Sequence, residues 1–85
     1  MKELLLYMAR NLVDHPDAVT VTEIPGEITK EAFPDYDVKA LELHVAPDDM
    51  GKVIGRQGRI AKEIRTIMKS VAQRAGTKVA VEIMD

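Results

Sequence analysis

The residue pattern predicts a small α+β domain whose elements run helix, strand, strand, helix, helix, strand. Three features carry that expectation. Apolar residues recur at helical spacing near the start and again across residues 60–75. β-Branched or alternating stretches occupy 18–24, 38–46 and 79–85. Two glycines, Gly55 and Gly58, stand three apart between two helical patterns, among basic residues at Lys52, Arg56, Arg59 and Lys62.

Each element follows from its residues. Residues 2–14 place Leu5, Met8, Ala9 and Leu12 on one helix face, and Leu4, Leu6, Tyr7 and Val13 widen that stripe. The wide stripe reads as ordinary core, with a dimer surface as the lesser reading. Asp14-His15-Pro16 ends the helix, because the residue before proline avoids helical angles. AVTVTEI, 18–24, reads as a strand. PGEITKEAFPDYD, 25–37, with its prolines, glycine and acids, reads as a long loop, with 27–33 a candidate for a turn of helix.

In VKALELHVA, 38–46, Leu41, Leu43 and Val45 face one way while Glu42 and His44 face the other, the mark of a strand covered on one face. Pro47 opens a short helix that runs to about Ile54, with Asp48 and Asp49 as first-turn acids favoured by the helix dipole. Ile60, Ile64, Ile67, Met68, Val71 and Ala75 mark a long helix closed by Gly76 as a C-cap. VAVEIMD closes the chain as a strand with Val79, Val81 and Ile83 on one face.

An 85-residue chain makes a single domain, 1–85, with no repeat and no second unit. The absence of cysteine removes disulfides and thiolate metal sites together. The apolar start is broken by Arg10 and Asn11 with no small-residue cleavage site after it, and no stretch approaches the 18 apolar residues of a membrane span. A soluble, cytoplasmic protein without membrane contact is expected. The formal net charge of −2 hides an asymmetry: residues 1–50 carry four basic and eleven acidic side chains, and residues 51–78 carry eight basic and one acidic. The basic half suits an anionic partner.

The paired glycines give that partner a place. A helix start presents backbone N–H groups and partial positive charge, and glycine has no Cβ to block a phosphate. Gly55 and Gly58 flank Arg56 and Gln57 just before the long helix, with Lys52 and Arg59 on either side. A P-loop is excluded, since the window after Gly51 ends in Arg56-Gln57-Gly58 rather than Gly-Lys-Ser/Thr. The dinucleotide fingerprint is excluded because Gly51, Gly55 and Gly58 are spaced four and three.

G-x-x-G alone is common; here its context is specific. VIGRQGRI, 53–60, resembles the K-homology (KH) signature of RNA-binding domains: an apolar pair, G-x-x-G, then an apolar residue two further on. The element order is that of the type II KH fold. The resemblance is closest to the small stand-alone bacterial KH proteins of the KhpA family, on LVDHPDAV at 12–19, VAPDDMGKVIGRQGRIAKEIRT at 45–66 and the VAVEIMD ending. It implies a three-stranded mixed sheet with helices on one face. It also implies non-catalytic binding of single-stranded RNA, with Gly55, Arg56, Gln57 and Gly58 clamping the backbone of about four nucleotides. Gly51, Lys52 and Ile54 would line the base groove, whose opposite wall is expected from the strand holding Leu43 and Val45, and Arg59 adds charge at the loop. The family implies an RNA chaperone or post-transcriptional regulator, as a homodimer or paired with a larger KH-containing protein. The alternative is a protein-interaction module that kept the fold.

Other chemistries find little support. Aromatics are confined to Tyr7, Phe33 and Tyr36, too few for a base-stacking sheet. Adjacent Asp48 and Asp49 point about 100° apart on a helix and do not converge on one ion. His15 and His44 lack a nucleophile or carboxylate at catalytic spacing. No enzyme, cofactor or metal is expected. Lys62, Arg65 and Lys69, within about 60° of arc on the long helix, read as a solvated face.

Overall fold

Residues 1–24 and 38–85 are described by the computed structural model; the expected loop at 25–37, with its candidate turn of helix, lies outside the described residues. The elements are helix α1 (Lys2–Leu12), strand β1 (Thr20–Glu23), strand β2 (Val38–His44), short helix α2 (Met50–Ile54), helix α3 (Arg59–Arg74) and strand β3 (Lys78–Met84). This is the expected order. Single 3-10 turns precede β1 at Pro16–Ala18 and α2 at Pro47–Asp49, each led by a proline whose missing N–H a helix start does not need.

The sheet runs β1-β2-β3, with β1 antiparallel to β2 and β2 parallel to β3. A parallel pair needs a crossover, and α2 and α3 supply it. The register sets Val21 beside Leu43 and Leu43 beside Ile83, with Leu41 beside Val81. Those side chains share one face because strand residues two apart point the same way. Leu5 and Ala9 of α1, Val53 of α2 and Ile64 and Met68 of α3 close over that face to form the core.

The helices refine the expected boundaries and faces. Helix α1 stops at Leu12 rather than 14, since Val13 is already extended (φ −100°, ψ 161°). Its Leu4, Leu6 and Met8 pack against the core, whereas Tyr7 is 69% exposed. The buried face of α3 is Ala61, Ile64, Met68 and Ala72. Ile67, expected from its spacing in the apolar stripe, lies outside the buried face, because the small alanines at 61 and 72 carry the row that meets the sheet. Gly76 closes α3 as expected: at φ +75° its N–H donates to the Gln73 carbonyl and that of Thr77 to Ala72, two bonds that satisfy last-turn carbonyls.

Candidate functional site

The turn between α2 and α3 is built around three uncommon backbone conformations. Gly55 ends α2 at φ 75°, ψ 175°, its N–H donating to the Gly51 carbonyl at 2.9 Å. Gln57 sits at φ 58°, ψ 25°, and Gly58 at φ 72°, ψ 16°. With Arg56 between, the chain turns within four residues and enters the 16-residue α3 at once.

The amides at this helix start are not all bare. Gly58 N–H donates to the Gly55 carbonyl at 3.2 Å, and Arg59 N–H donates to the Arg56 carbonyl. The amides of Arg56 and Gln57 are left without a partner among the described residues. Both side chains are exposed, as is that of Arg59. Two N–H groups, one guanidinium and the positive end of a helix dipole thus meet at one exposed turn, the usual chemistry of an anion site.

The two glycines have different reasons to be there. A Cβ on Gly55 would lie 2.6 Å from Cγ1 and 2.9 Å from Cβ and Cδ1 of Ile60, which packs beneath the turn. Around Gly58 the space is open, and only its positive φ calls for glycine. Gly51, exposed on α2, likewise has nothing within 4 Å of where a Cβ would stand, so a ligand could approach its backbone closely. Ile54, on the same helix, is 36% exposed, an apolar side chain beside the turn.

Two expectations change here. Leu43 and Val45 are 0% and 4% exposed, so they belong to the core and offer no groove wall. The alternation that marked them as one face was correct; that face meets the helices, not a ligand. The strand that runs alongside α3 is β3. Helix α3 and β3 run antiparallel from the Gly76 turn, and at about 1.5 and 3.3 Å per residue Gly58 and Met84 both lie roughly 26 Å from it. The same arithmetic puts Arg65 and Val81 level, each about 16 Å out. They do meet: Arg65 Nε donates to the Val81 carbonyl at 3.2 Å. The C-terminal end of β3, an edge strand, therefore stands level with the glycine turn. Arg65 is exposed, as are Lys62 and Lys69, but this bond also ties it to that edge.

Lys52 and Asp49 behave differently from a solvated cation and a first-turn acid. Lys52 Nζ lies 2.6 Å from Asp14 Oδ2 and 3.7 Å from Asp49 Oδ1, so two carboxylates share its charge. The hydrogen bond to Asp14 raises its pKa most, burial opposes that, and the charges of Asp14 and Asp49 add to the rise. Asp49 occupies the N-cap position of α2 yet makes no cap bond to its own helix. Its side chain is fully buried and accepts the backbone N–H groups of Asp14 (3.1 Å) and His15 (3.0 Å). Burial pushes its pKa up; those two hydrogen bonds and the charges of His15 and Lys52 outweigh that and leave it lowered. Sequence spacing holds one trace of this, the Asp49–Lys52 pair at i,i+3. The long-range bonds to 14 and 15 leave none. His15 is exposed, and His44 Nε2 lies 3.2 Å from Glu42 Oε2 on the sheet face away from the core.

Known proteins place this arrangement. A family model described as the KH domain of KhpA/KhpB matches residues 2–83. The RNA-binding protein KhpA of Clostridium acetobutylicum is 51% identical over 84 residues, which cover 99% of this chain and 100% of that protein. Those of Treponema pallidum and Aquifex aeolicus are 45% and 41% identical over 99% and 100% of the chain, and 94% and 96% of their own lengths. Among solved structures, Era in complex with MgGDPNP and nucleotides of 16S ribosomal RNA superimposes with a TM-score of 0.64 at 23% identity, over 98% of this chain and 28% of Era. The fold is thus the type II KH fold, with a three-stranded mixed sheet and helices on one face. By sequence along nearly its whole length, this chain belongs to the KhpA/KhpB family of KH domains.

Proposed function

We propose that the chain binds single-stranded RNA without catalysing a reaction, seating the phosphate backbone on the Gly55–Gly58 turn. One observation carries the reading: the unpartnered amides of Arg56 and Gln57 stand beside the Arg56 guanidinium at the start of a 16-residue helix. Relatives across most of the chain are named as RNA-binding proteins, which supports the same reading. Gly55 and Gly58 hold the turn open, and Arg59 adds charge beside it. Bases then lie over Gly51 and Ile54 on one side and the end of β3 on the other. Lys52 lines this side with its methylene stem, its charge shared with Asp14 and Asp49.

One such groove takes about four nucleotides, so affinity from a single domain is modest. That suits a chaperone or post-transcriptional regulator that engages many RNAs briefly. It also suits association, as a homodimer or with a larger KH-containing partner, which multiplies weak grooves.

The test is the double substitution Arg56→Asp, Gln57→Asp. Both side chains are exposed, and aspartate tolerates the left-handed backbone at 57 better than most residues. The fold should keep its thermal midpoint while two carboxylates repel phosphate, lowering affinity for a short single strand by at least about tenfold. Unchanged binding by a folded double variant would refute the proposal.

A further inference from the structure

The buried carboxylate of Asp49 has no part in the phosphate chemistry, yet it sits one residue before the helix that carries the cradle. An aspartate at this position ordinarily caps its own helix. This one instead reaches 35 and 34 residues back to the amides of Asp14 and His15, where the chain leaves α1. A fully buried carboxylate is costly unless well bonded, so a surface N-cap would be the simpler arrangement if capping were its only use. Lys52, on the exposed side of α2, closes the same link from outside by reaching both Asp14 and Asp49.

The geometry matters because α2 is only five residues long and ends directly in Gly55. A helix of a turn and a half has little hold of its own, and Val53 is its only fully buried side chain. Two hydrogen bonds at the residue before its start and Val53 near its end fix both ends of the segment. The orientation of the turn that follows depends on them.

We propose that Asp49 is a positioning residue for RNA binding: it ties the start of α2 to the exit of α1, so that the Gly55–Gly58 turn is held in one orientation toward phosphate. This rests on the reading of that turn as the phosphate seat. By reciprocity of coupling, RNA on the turn must in turn tighten the Asp49 link.

The experiment uses the full chain and 3′-labelled octauridylate as probe, with amide hydrogen exchange followed by NMR. In the native chain, adding octauridylate should raise the protection of the Asp14 and His15 amides together with those of Val53 and Gln57. Protection that rises at 53–58 and not at 14 and 15 would overturn the proposal. Asp49→Asn, compared with the native chain at a temperature where both are fully folded, should bind octauridylate about fivefold or more weakly, with amide resonances of 55–58 displaced before any RNA is added. A folded variant with affinity within twofold and unmoved 55–58 resonances would make Asp49 a stability residue only and overturn the proposal. Should Asp49→Asn fail to fold, the native-chain exchange arm decides. If octauridylate binds away from the turn, the displacement of the free variant's 55–58 resonances still tests the tie, while the phosphate-seat reading fails separately.

Discussion

Replacing Gly55 by alanine, with Gly58→Ala beside it, separates steric from conformational reasons for the glycine pair. At Gly55 the backbone (φ 75°, ψ 175°) lies in a region essentially closed to other residues, a cost of about 1–3 kcal/mol. The new methyl would also meet Ile60 at 2.6–2.9 Å, and one of those atoms, Cβ, is fixed by the backbone, while turning Cγ1 away about χ1 is restricted by the β-branch. Overpacking of that kind adds about 1–3 kcal/mol. At Gly58 the backbone is ordinary left-handed helix, costing about 1–2 kcal/mol, and the methyl meets nothing. Both alanines recover about 0.4–1 kcal/mol by restricting the unfolded chain. The net loss is therefore about 1–5.5 kcal/mol at Gly55 and about 1.5 kcal/mol or less at Gly58. For a domain of this length each kcal/mol moves the thermal midpoint by about 4–8 °C. Thermal unfolding followed by far-ultraviolet circular dichroism should show Gly58→Ala within about 12 °C of the native chain and Gly55→Ala lower still, by up to about 40 °C. Midpoints in the reverse order, or equal within about 3 °C, would refute the packing of Ile60 beneath the turn.

The buried Asp49 makes stability depend on acid. Its folded pKa is lowered from the ordinary 3.8, so its contribution is complete above that value and is lost as pH falls through the lower folded value. Asp49→Asn should therefore lower the thermal midpoint at pH 7, and its gap to the native chain should narrow steadily below pH 3.8; a gap constant from pH 7 to 2.5 would contradict the lowered pKa. Sedimentation at micromolar concentration should show a dimer, since a small chain with Tyr7 and Leu12 exposed on α1 gains from association. A clean monomer would leave those side chains to solvent.

Much of this was legible in the residues because the decisive signals are local. Two glycines between helical patterns, Pro16 beyond the end of α1, Pro47 before α2 and Gly76 after the last apolar turn each act within a few residues of themselves. Alternation in 38–46 likewise identified Leu41, Leu43 and Val45 as one face. It could not say what covers that face, because burial is decided by elements far along the chain, and Leu43 and Val45 proved to be core. That β3 rather than β2 lies beside α3 at the sheet edge was hidden for the same reason: which strand lies at the edge is a property of the sheet, not of any strand. Asp49 was least legible. Its partners are backbone amides 34 and 35 residues away, and backbone amides look the same in every sequence.

The central claim, that a small phosphate seat and not a broad basic face takes the RNA, is tested most directly by salt. A groove of about four nucleotides neutralises about two or three phosphates, and at about −0.7 per contact log affinity should fall against log salt with a slope of about −1.5 to −2. An octauridylate strand and an RNA duplex of the same length, titrated at several salt concentrations, give both quantities at once. The single strand should show that shallow slope, and the duplex, whose deep groove hides its base edges, should bind markedly more weakly. A slope steeper than about −5 with the duplex bound equally well would contradict the claim, and would assign binding to the exposed basic face of α3 through Lys62 and Lys69.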